Sequence, residues 1–388
     1  MSEVVTLRSN GKELQGWTSV SVSAGLTMAT RAFTVGVTYP WPQAKNVISA
    51  IEIGDPVEVW IGSDPVISGY VFAVPISYSA DSISVSISGR SKTADIVDCA
   101  PVAWAIDQPS GASSVRWSTT RAVPVSGALQ TAATPSAVQW TNAKIEQIAA
   151  DLCAPYGVDV SAQVDTGAPV TCHALDPGET VFESINRLLS LGQLFAMDDA
   201  AGRLVITEPG AGGDAAGGLV LGGNILSCSA NRDGSDVFSD YVIEGQRAGS
   251  DTAFGVVTSH IRAVAKDSRS RYRLYMNAQS GGVTQSLCQR LANFEKRRRR
   301  ALLQQVTYTV VGWRDSAGKL WRPNTFVRVK DFLLGIDARF LLAEVEYQLS
   351  EQGFVSVLNL APIEVFEAAP SESAATNSWV NEVRTPGT

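Results

Sequence analysis

Histidine is scarce in this chain: 388 residues contain only His173 and His260. Two imidazoles make a poor supply of metal ligands and general bases. Cysteine offers little more. Cys99, Cys153, Cys172, Cys228 and Cys288 are odd in number, scattered and never spaced as CxxC, which excludes a zinc site or disulfide framework of the usual kind. Free buried thiols are the plain reading. Charged residues make up only 18% against 45% hydrophobic, where an average soluble chain has about 25% charged. Disorder across the bulk of the chain needs the opposite balance. No apolar run approaches the ~18 residues of a membrane helix. Met1 to Asn10 has no basic segment leading into an apolar stretch, so no secretory signal and no membrane insertion are expected. The length suggests two or three domains at about 150 residues each. The expectation is a soluble, folded, multidomain protein made and assembled in a cytoplasm.

Enzyme signatures are missing too. There is no GxSxG, HExxH, P-loop or dinucleotide fingerprint between a strand and a helix. Gly210-Ala211-Gly212-Gly213 has no following Lys or amphipathic helix and reads as a linker. Cys172 and His173 are sequence neighbours, which suits neither a pair meeting across a cleft nor a chelate on one helix face. Asp198, Asp199, Asp233 and Asp236 offer acids for glycoside chemistry, but each lies in a Gly-containing turn, where Asp serves local hydrogen bonds. Neither a catalytic residue, a cofactor nor a metal site is expected.

What is present is β-structure. Ser19 to Ser23, Phe33-Val35-Val37, Val57-Val59-Ile61 and above all Ile83 to Ser88 alternate with period two. Turn signals separate them at Asn10-Gly11, Gly54-Asp55-Pro56, Gly62 to Pro65 and Ala80 to Ser82. Short strands of this kind close into a sandwich or small barrel. Residues 100–138 are rich in Pro, Ser, Ala and Gly and read as a long connection. A helix follows, with Asn142 able to cap it, Ile145, Ile148, Ala149 and Leu152 on one face, and Gly157 ending it. A second starts at Thr180, with Phe182, Ile185, Leu188 and Leu189 as its stripe. Strand Arg203 to Thr207 completes a small α/β piece.

After Gly-rich residues 209–223, strands are expected at Asn224 to Ser229 and Tyr241 to Gly245, a long helix at 283–303, and strands at Gln305–Trp313, Thr325–Lys330, Arg339–Leu349 and Gly353–Leu360. The fold class is mainly β with α/β insertions. The expected organisation is a first β-barrel at 1–93, a connector and small α/β domain at 94–217, a discontinuous second barrel at 218–248 and 305–365, a basic helical insert at 249–304, and a mobile tail at 366–388.

Charge is unevenly spread. Arg262 to Arg300 holds eleven Lys or Arg against Asp267 and Glu295, which is +9, leaving −16 elsewhere in a chain of net −7. Such asymmetry suggests a particular partner or cavity. Lys296-Arg297-Arg298-Arg299-Arg300 on one helix points in all directions. One reading has these cations complementing the helix C-terminus, with packed stems or intersubunit salt bridges. The other is contact with nucleic acid, though stacking aromatics are sparse beside them. Nine tryptophans are many. Trp313 and Trp321 bracket the turn Arg314 to Lys319, and Trp41 lies between two prolines. Core packing is the first reading of each, and interface anchoring the second.

Several segments, taken in order, carry a resemblance: Gly89-Arg90-Ser91-Lys92-Thr93-Ala94-Asp95-Ile96-Val97-Asp98, Asp176-Pro177-Gly178-Glu179-Thr180-Val181-Phe182-Glu183, Val311-Gly312-Trp313-Arg314, Gly318-Lys319-Leu320-Trp321, Asn324 to Val329, Leu341 to Val345 and Ser350 to Phe354. At these spacings the chain resembles the Mu-type phage baseplate hub proteins, the tail protein P family, across about residues 3–365. The resemblance implies a homotrimeric ring whose protomers each carry two tube-like barrels, six in all. Such a ring meets a six-fold tail tube on one side and a three-fold central spike on the other. Its partners are its own copies, the tube protein, the spike and other baseplate proteins, with DNA only in transit. The location implied is the virion tail baseplate. The resemblance brings no catalytic residues. It suits Gly89 and Gly353 to turns, and Trp313 and Trp321 to barrel or subunit packing. Two alternatives stay open: the hub of a DNA-free pyocin-like particle, and a carbohydrate-binding or cell-wall-degrading virion β-protein.

Overall fold

In the computed structural model, residues 3–40, 51–79, 82–101, 139–246, 260–268, 271–350 and 353–370 are described. Trp41, most of the 100–138 connection and the last part of the tail lie outside them. The chain divides into a larger unit, Met1–Ser229 with Thr307–Leu360, and a smaller one, Ala230–Val306 with Ala361–Thr388.

The larger unit begins with β1 (Val5–Ser9), β2 (Lys12–Leu14), β3 (Ser19–Gly25), β4 (Ala32–Pro40), β5 (Pro56–Ile61), β6 (Asp64–Ala73), β7 (Ile76–Tyr78) and β8 (Ser82–Ser91). Alternation does the sorting here. In β8, Ile83, Val85 and Ile87 are buried while Ser84 is exposed, and each such side chain contributes roughly 1.5–3 kcal/mol. The period-two expectation holds for these strands. Gly89 does not mark a turn, however. It sits inside β8 opposite Phe33, and a Cβ there would lie 2.3 Å from the Tyr70 carbonyl oxygen and 2.5 Å from the Phe33 ring. Gly353 opens β22 at φ +95°, a conformation that suits glycine.

The mixed piece follows: α1 (Ala94–Asp98), β9 (Gln139–Ala143), α2 (Ile145–Cys153), β10 (Val160–Ala162), β11 (Val170–Ala174), α3 (Val181–Gly192), β12 (Phe195–Asp198) and β13 (Leu204–Thr207). Ile145, Ile148, Ala149 and Leu152 of α2 meet Ile185, Leu188 and Leu189 of α3 in one core with Leu204 and Ile206. Asn142 does not cap α2; it lies in β9 at φ +52° and Lys144 takes the cap position. Thr180 does cap α3. Its hydroxyl accepts from the Glu183 N–H at 3.2 Å and Glu183 accepts from the Thr180 N–H at 2.8 Å, a reciprocal capping box.

Strands β14 (Asp214–Val220), β15 (Ile225–Ser229), then, much later in the chain, β19 (Val306–Val311), β20 (Phe326–Asp331), β21 (Ile336–Ser350) and β22 (Gly353–Ala361) form the other β-rich part. The pairing runs as one path, β15-β19-β22-β21-β3-β4-β8-β6-β5-β1-β2, with β20 on β21 and β14 on β20. The joint is the antiparallel ladder of β21 with β3, from Glu344↔Gly25 to Leu349↔Val20. Among the described residues no pairing closes this path into a barrel.

The smaller unit contains β16 (Asp240–Gln246), β17 (His260–Lys266), β18 (Leu274–Gly282) and α4 (Gln285–Leu302). Here the strand expected near Tyr241 does not join the second β-rich part. It is the centre of a separate sheet, antiparallel to β17 and parallel to β18. Nor is the basic insert only helical. His260-Ile261-Arg262-Ala263-Val264-Ala265-Lys266 alternates exposed and buried, so some of its cations are the outward positions of a strand. The helix buries Leu287, Cys288, Leu291 and Ala292 against Tyr241, Ile243, Ile261 and Ala263. The start of the tail belongs here too, with Phe366 9% exposed.

Candidate assembly surfaces

Three of the five consecutive cations on α4 are engaged within the smaller unit. Thr284 caps the helix by accepting from the Leu287 N–H at 3.2 Å. The helix runs for 18 residues and places Arg299 and Arg300 in its last turn. Arg299 donates to Glu295 at 2.9 Å and to the Asp236 carbonyl at 3.2 Å. Its guanidinium lies 4.3 Å from the Tyr275 ring centre and 5.3 Å from that of Phe238, a cation–π arrangement. Burial opposes the Arg299 charge, and the Glu295 carboxylate more than offsets it, so its pKa moves up. Arg300 reaches the buried carboxylate of Asp267 at 3.3 Å. Arg297 meets Glu367 at 3.3 Å, both partly exposed. For Lys296 and Arg298 no ion pair occurs among the described residues.

Trp313 and Trp321 are interior residues of the protomer, 1% and 3% exposed. The Trp313 indole N–H donates to the carbonyls of Val355 at 2.9 Å and Gln348 at 3.1 Å, and its ring meets Phe354 edge-on at 4.9 Å. Tyr347 donates its hydroxyl proton to the Trp321 carbonyl. Neither indole therefore has surface left for anchoring a neighbour. The Trp321 indole N–H, like that of Trp17, is buried without a partner.

The candidate acids are likewise consumed by structure. Asp198 is 1% exposed; it accepts from the Arg31 backbone N–H at 3.0 Å and from its Nε at 3.1 Å, while Arg31 also donates to the Val66 carbonyl at 2.8 Å. Burial pushes the Asp198 carboxyl up, against the pull of Arg31. Asp199 accepts from Arg203 at 2.7 Å and from two backbone N–H groups of its turn. Asp233 accepts from the Ser235 N–H at 2.8 Å, and Asp236 lies 3.9 Å from Arg299. A cleft of about 530 Å³ is lined by Arg31, Trp60, Asp64, Asp198, Arg203 and Tyr347, yet its charges are largely paired. Asp64 accepts from Arg314 at 2.6 Å, and Arg314 also donates to Glu3 at 2.6 Å. That guanidinium ties the turn between β19 and β20 to the β1 and β5 side. Neighbouring Asn324, at φ +65°, donates to the Glu208 carbonyl at 2.9 Å and accepts from the Gly210 N–H at 2.6 Å.

His173 is buried with its Nε2 2.8 Å from the Ser184 hydroxyl. Burial, with Arg187 adding to it, lowers the imidazole to about 4. The His173 ring lies 5.9 Å from that of Trp140, tilted by 35°. Burial raises the Cys153 thiol to about 12, so it packs as an inert hydrophobe. Among the described residues no group of His, Cys, Asp and Glu is placed to hold a metal ion, and no helix is long and apolar enough to cross a membrane. Sequence reasoning missed Arg31, Arg314 and Asn324, the polar groups that join distant segments. Only the Val311-to-Arg314 and Asn324-to-Val329 motifs hinted at two of them.

Comparison with known proteins agrees with a structure built for packing. Residues 4–91 match the Mu phage baseplate assembly protein GpP-like N-terminal family, residues 127–208 the second domain of baseplate hub protein gp44-like proteins, and residues 284–369 the fourth domain of Mu phage baseplate assembly protein GpP. The baseplate hub protein gp44 of Escherichia phage Mu is 31% identical over 97% of this chain and 92% of its own length. The 43 kDa tail protein of prophage MuSo2 from Shewanella oneidensis is 30% identical, with a TM-score of 0.75 over 95% of this chain and all of that one. A tail protein of Neisseria meningitidis MC58 shares the fold at 21% identity and a TM-score of 0.69, with the same coverages. The fold and these matches define a phage-tail structural component of the virion. The chain belongs to the gp44 family of Mu-type baseplate hub proteins.

Proposed function

We propose that three copies of this chain form a ring in the tail baseplate that joins a six-fold tail tube to a three-fold central spike and lets DNA pass during ejection. The role is structural rather than catalytic, and assembly takes place in the cytoplasm of the host bacterium. The observation that carries this reading is the identity to the Mu hub along nearly the whole chain. Each protomer has two β-rich parts, joined through β21 and β3; in this reading each part meets the tube once, so three copies make six contacts. The ring's contacts are its own copies, the tube protein, the spike and other baseplate proteins. DNA is a passenger, which suits a chain of net −7, because an acidic wall does not hold phosphate. A DNA-free pyocin-like hub needs the same architecture; encapsidated DNA in the purified particle separates the two.

Light scattering on the purified chain is the test. A mass three times 41.2 kDa is expected, rising to a larger assembly when the spike protein is added. A chain that stays monomeric with and without the spike overturns the reading. Clearing on a peptidoglycan gel would favour the cell-wall-degrading alternative instead.

A further inference from the structure

The charge of this chain is divided between its units. Residues 230–306 and 361–388 hold fourteen Lys or Arg against eleven Asp or Glu, net +3, so the larger unit carries −10 of the total −7. On α4, Arg290, Asn293, Lys296 and Arg297 recur at the helical spacing of three and four. Arg290, Asn293 and Arg297 are exposed and Lys296 is half-buried, so they form one outward stripe opposite the face that buries Leu287, Cys288 and Leu291. In the larger unit, residues 46–89 contain five carboxylates and no Lys or Arg. Asp64 is taken by Arg314, and Asp81 lies outside the described residues. Glu52 and Asp55 lie in the tight turn before β5 and Glu58 within that strand, with Ile53 70% exposed between the first two and no ion pair to any of the three among the described residues.

We propose that the outward stripe of α4 in one copy docks on the Glu52–Glu58 segment of the next copy, and that this contact sets the direction of the ring. The inference rests on the ring reading above. It is a heterologous contact, two different patches meeting, which closes into a ring when the rotation permits. Each copy supplies one basic stripe and one acidic turn, so every contact is satisfied at equal stoichiometry. Ile53 gives the turn an apolar centre with charges around it, the usual anatomy of a protein interface. Duplex DNA on the basic stripe would leave the acidic turn and its exposed Ile53 unused. Arg297 is already paired with Glu367, but at exposed positions, where such a pair is weak and readily exchanged.

The test is charge reversal on the intact chain, read by light scattering at low and high salt. K296E/R297E and E52K/D55K are each expected to weaken self-association about tenfold at low salt, equivalent to about 1.4 kcal/mol. The two sets combined in one chain are expected to restore it. A wild-type trimer whose variants associate unchanged overturns this contact and leaves the ring reading standing. A monomeric wild-type chain, with or without spike, overturns both. Unchanged association together with lost retention of K296E/R297E on a duplex DNA column assigns the stripe to nucleic acid instead. Variants that melt lower without changing mass place the charges inside one copy, which also overturns the contact. Arg297 and Glu52 are exposed and Lys296 and Asp55 half-buried, and a far-ultraviolet dichroism melt of each variant checks that it folds.

Discussion

A buried charge is tolerable where its partner is buried with it, and Arg31 with Asp198 is such a pair. Removing one member strands the other away from water, at a cost of about 3–5 kcal/mol. R31A is therefore expected to be far more damaging than R328A, whose partner Asp337 is exposed; urea unfolding of the two variants makes the comparison. His173 presents the opposite case, a titratable group held neutral. Its folded pKa of about 4 lies below the ordinary 6.5, so the unfolded chain binds the proton more readily. Stability is full above pH 6.5 and declines as pH falls from there through 4. An H173Q chain is expected to lose most of that slope in unfolding midpoints measured between pH 7 and 4. Trp313 shows a third residue-scale rule. An indole was open to core or interface, and two carbonyl acceptors inside the protomer decided for the core.

At the scale of elements, close approach matters as much as alternation. Strands β6 and β8 pass so near one another that a Cβ on Gly69 would lie 1.9 Å from the Arg90 carbonyl oxygen, and Gly89 is hemmed in by Phe33. G89A is expected to destabilise by roughly 1–3 kcal/mol or more, because backbone rather than a flexible side chain must yield. Circular dichroism on heating reads the loss. Thr180 illustrates a gentler dependence. T180A removes one half of a capping box and is expected to cost about 1 kcal/mol. Both features stand in the sequence, one as a Gly in a strand and one as Thr-x-x-Glu. Only the second has a local signature, since a strand glycine does not announce what lies above it.

For the whole molecule, two contact-dense units predict two unfolding steps. L291A empties part of the core between α4 and its sheet, a change worth about 2–5 kcal/mol. It is expected to lower the transition of the smaller unit in calorimetry and leave the other in place. A single transition shifted as a whole would mean that the two units unfold together.

The strand periods, the α3 cap, the mainly β class and the family resemblance were legible from residues alone, because each rests on interactions between near neighbours or on short ordered motifs. The charge asymmetry was legible as well. What residues alone did not assign was which strands share a sheet. The apolar strand at Asp240–Gln246 has the same alternation whether it pairs with β19 or β17, so only the three-dimensional register placed it in the smaller unit. The same holds for the β21–β3 ladder, whose paired residues lie more than three hundred positions apart, and for the Arg31, Arg314 and Asn324 clasps. A side chain's period records which face it buries. Its partner is chosen by what the rest of the fold brings to that face, and that choice belongs to tertiary structure.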